Sequence, residues 1–241
     1  MKLTFLLILL ALVTVLVFQG IRVYRLIKIS KMLVETAKPF SHTPSTFSKK
    51  VLILGDSLGV GVGSLKQEDT IAGRLHADYP NVYIKNLSVS GYKIIDALNV
   101  INTLPDNEEF DVVLLQIGGN DIVKGMSLSN SNKNLKVLLD KAKSHSRKVI
   151  FLTSGSVGFA PIFPQPFDWF YDRKSKIYLD SFEKIAKEVG VTRIDLYASR
   201  EDDPFLKNID LYYAKDVFHP SGDGYGLWYE KIKPELAILY L

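Results

Sequence analysis

The sequence predicts an α/β fold in which helices cover both faces of a parallel sheet, preceded by an apolar helix at the N-terminus. Two observations predict it: short apolar runs alternate with helix-like stretches, and the uncharged run Leu3–Ile21 precedes them all. The strand candidates are residues 50–54, 82–86, 111–117, 148–153 and 191–195. The helix candidates lie near residues 64–78, 93–103, 130–144, 173–189 and 222–238. Alternation of this kind favours parallel pairing, because a parallel crossover usually contains a helix.

The N-terminal run Leu3–Ile21 contains no charged residue and is long enough to span a bilayer, which takes about 20 apolar residues. A cleaved signal peptide is the alternative, since Lys2 gives a small positive segment before the run. The stretch Val17-Phe18-Gln19 is a poor cleavage site, and the run is longer than a usual signal-peptide core. We therefore expect an uncleaved single-pass anchor, with residues 3–21 in the membrane.

Basic residues follow the apolar run at Arg22, Arg25, Lys28 and Lys31. The interleaved apolar residues predict that the helix continues into the interface, with these cations near lipid phosphates, although a solvated helical face would give the same spacing. The Pro-, Ser- and Thr-rich stretch that comes next predicts a linker. The predicted organisation is an anchor and basic juxtamembrane helix over 1–35, a linker over 36–48 and one folded domain over 49–241.

Composition and charge exclude several classes of function. The chain has no cysteine, which excludes disulfides and thiolate metal sites, and no His/Asp/Glu group has metal-ligand spacing, so we expect no metal and no cofactor. Residues 1–50 hold eight Lys/Arg and one acidic residue, out of 30 and 26 in the chain. The remaining residues therefore carry 22 basic and 25 acidic side chains, and this slightly acidic domain is not expected to bind nucleic acid.

A serine lies on the turn that leaves the first predicted strand. The motif Gly55-Asp56-Ser57-Leu58-Gly59 directly follows the apolar run Val51–Leu54. In α/β folds the chemistry is located at the carboxyl ends of the strands, and glycines on both sides let a substrate approach the hydroxyl closely. Ser57 is therefore a candidate nucleophile, provided that the chain also supplies a base, an orienting acid and an oxyanion site.

One histidine has a carboxylate in a suitable position. The chain has four histidines, and only His219 follows an acid by three residues in a turn-like context, at Asp216-Val217-Phe218-His219-Pro220. Pro220 biases His219 toward an extended backbone, which lets Asp216 reach Nδ1 and leaves Nε2 free to accept a proton. An Asx turn with an incidental histidine is the alternative. We expect His42 and His145 to be solvated surface residues and His76 to pack or lie at the surface.

Two further segments offer hydrogen-bond donors at strand ends. The run 112–117 ends in Gly118-Gly119-Asn120-Asp121, where Asn120 offers a side-chain N–H. The strand candidate at 82–86 is followed by Gly91, which can present a backbone N–H. Each segment alone is also typical of an ordinary turn. Asp121 is expected to hold its turn rather than to take part in chemistry.

These four segments together resemble the SGNH hydrolases, also called the GDSL-type esterases and lipases. The resemblance covers roughly Lys50 to the C-terminus, with all four family blocks in the usual order. It implies a flavodoxin-like three-layer α/β/α sandwich with a five-stranded parallel sheet. It also implies that Ser57 is the nucleophile, His219 the general base and acid, and Asp216 the residue that orients His219. The implied oxyanion hole consists of the N–H groups of Ser57 and Gly91 and the side chain of Asn120.

Two other interpretations of the glycine-rich turn are disfavoured. The pattern Gly55-x-Ser57-x-Gly59 also fits the nucleophile elbow of α/β-hydrolases, but that fold needs strands before the nucleophile. The run 59–63 has glycine at alternate positions, yet it lacks the spacing of dinucleotide-binding and P-loop motifs. We interpret these glycines as close packing where the loop enters a helix.

The segment 154–171 follows the fourth predicted strand and is dense in proline and aromatic residues. A loop packed on its own domain is the simpler interpretation. The sharper hypothesis is a wall or lid for an apolar acyl chain, or a surface that dips into lipid, with Phe159, Phe163 and Trp169 as candidate substrate-binding residues.

The sequence therefore predicts a membrane-anchored serine esterase or lipase that hydrolyses carboxylic esters, with lipid or lysophospholipid esters favoured. An O-acetyl esterase acting on an envelope glycan is an alternative within the same chemistry. A non-catalytic, membrane-tethered binding domain is an alternative of another class. The cations after the apolar run favour a cytoplasmic domain by the positive-inside rule, whereas the family resemblance favours export.

Overall fold

The computed structural model describes residues 2–240 and contains a five-stranded sheet in which every pairing is parallel. The strands are β1 (Lys49–Gly55), β2 (Val82–Asn86), β3 (Phe110–Gln116), β4 (Ser146–Leu152) and β5 (Thr192–Ile194). Their order across the sheet is β2-β1-β3-β4-β5. From β1 the chain adds β2 on one side, and it then adds β3, β4 and β5 on the other side. The order of the sheet therefore reverses at β1, and the carboxyl ends of the strands form a crevice there.

Ten α-helices and three 3-10 segments connect or flank these strands within residues 2–240. The helices are α1 (Lys2–Thr36), α2 (Ser57–Val60), α3 (Ile71–Asp78), α4 (Ile94–Ile101), α5 (Gly119–Val123), α6 (Leu128–Ser144), α7 (Phe167–Val189), α8 (Pro204–Lys207), α9 (Ile209–Tyr212) and α10 (Gly222–Ile232). The 3-10 segments are Gln67–Asp69, Val157–Phe159 and Lys233–Tyr240. The helix predicted near 64–78 begins only at Ile71, where Thr70 caps it by accepting from Gly73 N–H.

The strands are continuous apolar runs because both faces of the sheet are covered. Leu52, Val113 and Phe151 point to one face and pack against α4, α6 and α7. Their neighbours, among them Ile53 and Leu114, point to the other face and pack against α3, α10 and the C-terminal 3-10 segment. Alternate side chains of a strand face opposite sides, so a strand buried on both sides shows no polar alternation. The predicted α/β fold with a covered, five-stranded parallel sheet is confirmed.

Helix α1 differs from the other long helices, α6 and α7, because none of its residues is buried. It is the one helix among residues 2–240 that is long and apolar enough to cross a membrane, and it remains a candidate span because a signal sequence has the same composition. From Gln19 onward, half-buried residues recur every three or four positions. This periodicity is that of a helix with one stripe against the domain. The second half of α1 therefore lies along the domain, whereas the first half projects from it.

Part of the predicted linker is paired with the sheet. His42 exchanges backbone hydrogen bonds with Ile84 of β2, at 2.9 and 2.8 Å, in an antiparallel bridge. The Ser41 hydroxyl accepts from the N–H of Asn86 at 3.1 Å, and Phe40 packs against the core. These contacts hold the segment against the open side of β2.

Two expectations about histidines are wrong. His145 is 3% exposed rather than solvated, and its Nδ1 lies 2.9 Å from the carbonyl oxygen of Glu108. His42 is half-buried, and its ring lies 4.1 Å from that of His76, which fits the expected packing role of the latter. The Glu108 carbonyl satisfies the His145 ring, and His42 Nε2 lies 3.2 Å from the carbonyl oxygen of Pro80, so each of these two rings has a backbone partner.

Candidate active site

The site lies at the carboxyl ends of β1, β2 and β3, where the loops after these strands meet the segment before α10. Ser57 is the first residue of α2, directly after β1. Asp56 caps this short helix, because its Oδ1 accepts the N–H of Leu58 at 2.9 Å. A Cβ on Gly59 would come within 2.2 Å of the Ser88 hydroxyl, so the loops after β1 and β2 pack as closely as expected there. The turn holds the Ser57 hydroxyl at the sheet edge.

Ser57, His219 and Asp216 are brought together in one hydrogen-bonded row. The Nε2 atom of His219 lies 3.0 Å from the Ser57 hydroxyl, and Nδ1 lies 2.6 Å from Asp216 Oδ2. The carboxylate leaves Nδ1 as the protonated nitrogen, so Nε2 can accept the hydroxyl proton. His219 is 4% exposed and Asp216 is fully buried, which keeps bulk water from competing for these bonds.

Asp216 is held as a carboxylate by its surroundings. Burial alone would raise the pKa of Asp216, but bonds from the His219 ring and from the N–H groups of His219 and Phe218 outweigh burial and bring the pKa below its usual value. An ionised Asp216 can stabilise an imidazolium that forms on His219. A buried, ionised Asp216 is therefore suited to orient His219, which is the role that the resemblance implies.

The loop that carries both residues is strained at Val217. Val217 has a φ of 48°, the one positive value found for a residue other than glycine between positions 2 and 240. A β-branched residue in this conformation costs about 1–2 kcal/mol. Two backbone hydrogen bonds hold the loop: Ala214 N–H donates to His219 O at 2.8 Å, and Val217 N–H donates to Ala214 O at 2.9 Å. The sequence contains no indication of this strain.

The loops after β2 and β3 are tied to each other by two side chains that follow β3. Gly91 has a φ of 86°, a conformation that favours glycine, and its carbonyl oxygen accepts from Lys124 Nζ at 2.7 Å. Asn120 lies in the first turn of α5, and its Nδ2 donates to the carbonyl oxygen of Tyr92 at 3.0 Å. The same nitrogen lies 3.4 Å from Asp56 Oδ2. The Asn120 amide is thus fixed between the two loops, on the side of Ser57.

Two buried carboxyls support the site without belonging to the hydrogen-bonded row. Burial raises the pKa of Asp56 to about 7, against bonds from Leu58 and Asn120 that lower it. Nothing in the sequence distinguishes Asp56 from an ordinary turn residue. Asp121 accepts from the N–H of Ile94 at 3.0 Å and from the hydroxyl of Ser131 at 2.9 Å. Asp121 therefore ties α4 and α6 to the β3 turn, in agreement with a holding role.

A cavity of about 130 Å³ opens beside the Ser57 hydroxyl. Ser57, Asn120 and His219 line its polar end. Its apolar wall is formed by several segments of the chain and includes Leu58, Val157, Leu196, Phe205, Phe218 and Trp228. Leu196, Phe205 and Trp228 come from the C-terminal third of the chain and were not identified from the sequence, because no motif or periodicity distinguishes them from core residues.

The three aromatic residues chosen from the sequence do not line this cavity. Phe159 is 3% exposed and packs below Tyr197 and Arg200, because its 3-10 turn points it inward. Phe163 packs against Tyr171 and Phe218, and Trp169 is 62% exposed on α7. Val157 and Ala160, which lie close to Phe159 in the sequence, line the cavity instead. The segment does form part of a wall, but through its small residues.

Within residues 2–240 no group of three or more His, Asp or Glu side chains is arranged to hold a metal ion.

Comparison with known proteins identifies similar chains. The model of the GDSL-like lipase/acylhydrolase family matches residues 53–227, which include Ser57 and His219. The esterase TesA of Pseudomonas aeruginosa is 26% identical over 113 residues, which are 46% of this chain and 56% of TesA. The aligned part thus spans little more than half the length of that curated relative.

Solved structures share the fold. A crystal structure of TesA has a TM-score of 0.62 at 20% identity and covers 79% of this chain and 99% of its own. An acetylxylan esterase from Geobacillus stearothermophilus has a TM-score of 0.57 at 19% identity, covering 81% of this chain and 96% of its own. At these identities the agreement concerns the fold.

Proposed function

This chain belongs to the GDSL-like lipase/acylhydrolase family, and from that membership we propose that it is a serine hydrolase that cleaves carboxylic esters at Ser57. The family's description agrees with the predicted class of an ester hydrolase. The observation that carries the proposal is the row formed by Ser57 Oγ, His219 Nε2 and Nδ1, and Asp216 Oδ2, with separations of 3.0 and 2.6 Å.

The first half of the reaction transfers the acyl group to Ser57. The Ser57 hydroxyl attacks the ester carbonyl while His219 Nε2 takes its proton, and Asp216 stabilises the imidazolium that results. The tetrahedral intermediate collapses when Nε2 gives this proton to the leaving alkoxide, which departs as an alcohol. Water then attacks the acyl-enzyme with the same base, and the carboxylic acid leaves.

The negative charge of the tetrahedral intermediate needs donors at the same place. We assign this role to the N–H groups of Ser57 and Gly91 and to Asn120 Nδ2. One Asn120 hydrogen is directed to Tyr92 O at 3.0 Å, whereas the other makes only the long 3.4 Å contact with Asp56. The second hydrogen is therefore available to a stronger acceptor. Donors fixed before the reaction lower the barrier, because they need no reorganisation as the charge develops.

Lipid or lysophospholipid esters are the substrates we favour. The wall of the cavity beside Ser57 is mostly apolar, although Asp203, Tyr213 and Lys231 also line it, and the apolar part suits an acyl chain. Its volume of about 130 Å³ is close to that of an engineered apolar cavity that binds benzene, so it accommodates a short acyl group or the first carbons of a longer one.

We further propose that residues 3–21 anchor the chain in a membrane, that 36–48 join anchor and domain, and that 49–241 form the hydrolase domain.

Deacetylation of an envelope glycan is the second candidate. The small cavity volume and the shared fold with an acetylxylan esterase favour it. A non-catalytic binding domain is disfavoured, because binding alone needs no buried acid aligned with an imidazole and a hydroxyl.

Labelling by a fluorophosphonate probe tests the proposed nucleophile. We expect the full chain in detergent micelles to be labelled and Ser57→Ala to lose both the label and about 10⁴-fold or more of its esterase activity. Ser144→Ala, at an exposed serine far from the site, is the matched control. Equal labelling of the wild type and Ser57→Ala would refute the assignment of Ser57.

A series of p-nitrophenyl esters of increasing chain length separates the two candidate functions. A lipid esterase should reach its highest kcat/KM with a medium-length or longer acyl group, because each added methylene removes apolar surface from water. A strict preference for acetate would favour the deacetylase.

A further inference from the structure

We propose that an exposed group of aromatic residues, Phe167, Trp169 and Phe170, inserts into the interface of the same bilayer that α1 spans. These three residues, the aromatic tip, lie in the first turn of α7. Their exposed fractions are 56%, 62% and 54%, although large aromatic side chains are usually covered. The inference rests on the proposed membrane anchor and adds the surface through which the domain contacts the lipid.

The position of the aromatic tip follows from one contact between α1 and the domain. The guanidinium of Arg22 donates to the carbonyl oxygen of Pro161. Arg22 is the first charged residue after the uncharged run Leu3–Ile21, which as a helix is about 28 Å long, close to the hydrocarbon thickness of a bilayer. Arg22 therefore belongs at the level of the lipid headgroups. Pro161 is at the same level, and α7 begins six residues later.

The remainder of α1 leads away from that level along the domain. Its half-buried stripe includes Val23, Leu26 and Leu33, so this part of the helix lies against protein. At its end, Thr36 lines a surface pocket together with Leu65. Arg22 and Thr36 are 14 residues apart, or about 21 Å in a helix. Leu65 thus marks a part of the surface far from the headgroups, whereas the aromatic tip lies beside them.

The charges around the aromatic tip fit an interface. The Arg173 guanidinium lies 5.9 Å from the centre of the Trp169 ring, and Asp168, in the same turn, is paired with Arg200. Arg25 follows Arg22 on α1 by one turn and is exposed. Tryptophan and phenylalanine beside basic side chains are typical of surfaces that bind at the headgroup boundary, where cations meet lipid phosphates. The composition thus favours lipid over a protein partner.

The aromatic tip is also close to the site. Phe170 contacts Tyr171, and Tyr171 packs against Phe163 with ring centres 4.5 Å apart. Phe163 meets the edge of Phe218, a cavity-lining residue whose ring is 4.9 Å from that of His219. Insertion of the aromatic tip therefore places the cavity wall at the lipid surface. A lipid ester could then enter without leaving the bilayer completely, which reduces the apolar surface exposed to water on the way.

Nitroxide labels can test the depth directly, because the chain has no cysteine of its own. Three single variants of the full chain, Trp169→Cys, Leu65→Cys and Leu10→Cys, are labelled and reconstituted into vesicles of phosphatidylcholine and phosphatidylglycerol. Accessibility to oxygen and to a water-soluble nickel chelate is then compared. We expect the label at 10 to be deep, the label at 169 to be more accessible to oxygen than to nickel, and the label at 65 to behave as in water.

Each outcome decides the proposal. A deep label at 10 with a water-like label at 169 would overturn the aromatic tip while leaving the anchor intact. A label at 169 shielded from both reagents would mean burial against protein and would also overturn it. A water-like label at 10 would refute the anchor and the inference together. None of these readings depends on esterase activity, so a failure of the proposed reaction is distinguished from a failure of this inference.

Activity gives a second measurement. The triple variant Phe167→Ser, Trp169→Ser, Phe170→Ser should lower hydrolysis of a long-chain ester presented in vesicles several-fold, while hydrolysis of water-soluble p-nitrophenyl acetate stays unchanged. The double variant Leu65→Ser, Val137→Ser, at two exposed apolar residues elsewhere, is the control and should change neither. Equal losses on both esters would contradict a role in lipid contact.

Discussion

The two most apolar regions of this chain have nearly the same composition and opposite surroundings. In β1, residues Val51–Leu54 are completely buried beneath helices on both faces of the sheet. In the first half of α1, residues such as Leu3 and Leu10 are 70% and 60% exposed. The strand is covered by other segments of the same chain, whereas within residues 2–240 nothing covers the first half of the helix.

This difference shows which apolar surfaces the domain covers by itself and which must be covered by something outside the chain. The row from Ser57 to Asp216 is complete through contacts inside the domain. The apolar surface of α1 needs an external cover, because exposure of that much hydrocarbon to water is unfavourable. Variants that disrupt the proposed reaction should therefore leave the proposed membrane attachment intact, and variants that disrupt the attachment should leave the reaction intact.

The largest effect is expected from charges in the first half of α1. Leu10→Arg together with Val13→Arg should remove the protein from the membrane fraction, because each arginine at the centre of a spanning helix costs about 2.5–3.5 kcal/mol. Activity on a soluble ester should persist. Leu65→Arg with Val137→Arg is the control, and fractionation with an esterase assay is the measurement. Retention of the Leu10→Arg, Val13→Arg variant in the membrane fraction would mean that the first half of α1 is not the anchor.

The next effect concerns the site alone. Asn120→Ala should lower kcat by about 10²–10³, the usual loss for one oxyanion donor, and leave membrane attachment unchanged. Steady-state kinetics with a soluble ester measures it, and Asn130→Ala, at an exposed asparagine, is the control. Turnover close to that of the wild type would remove Asn120 from the mechanism.

A smaller effect concerns the dependence of stability on pH. The folded pKa of Asp56 is about 7 against 3.8 for the free group, so the unfolded chain loses this proton first as the pH rises. The contribution of Asp56 to stability is therefore fully present below about pH 4 and is lost as the pH rises to about 7. Asp216 acts in the opposite direction, but its pKa is lowered, so its contribution disappears only at more acidic pH.

Asp56→Asn isolates this contribution, since asparagine can still cap α2. The Tm of wild type and variant in detergent micelles should be compared between pH 4 and pH 7. We expect the wild type to lose more stability than the variant across this interval. Parallel curves would mean that Asp56 does not titrate there.

The smallest effect is expected at Val217. Val217→Asn relieves the cost of a φ of 48°, because asparagine tolerates this conformation better than a β-branched residue. A gain of about 1 kcal/mol would raise the Tm by about 2–4 °C. Val137→Asn, in the regular helix α6, should not raise it. A lower Tm for Val217→Asn would mean that packing of the valine outweighs the strain.

Local patterns were sufficient to predict the sheet and the segments that meet at its edge. The strand runs are continuous because they are buried on both faces, and the site residues follow strand ends, so the motif at Ser57 and the block at Asn120 could be found without coordinates. Site residues that are far apart in the sequence can still be expected to meet in such a fold, because parallel strands bring their carboxyl ends together.

Features set by long-range contacts could not be predicted. The burial of His145 depends on the carbonyl of Glu108, and the raised pKa of Asp56 depends on how completely the loops cover it. The positive φ of Val217 is imposed by the hydrogen bonds of its loop. Trp169 was a candidate for substrate binding because it is aromatic. Aromatic residues occur both in cavities and on surfaces, and only the fold distinguishes the two positions.

The backbone bridge between His42 and Ile84 has a consequence for self-association. β2 is a terminal strand of the sheet, and unpaired terminal strands are templates onto which another molecule can add a strand. The bridge occupies part of that template. At the opposite end, β5 is only three residues long and includes Arg193, which is paired with Glu183 and Asp195. Each end of the sheet thus carries a feature that discourages sheet-to-sheet aggregation between neighbouring copies.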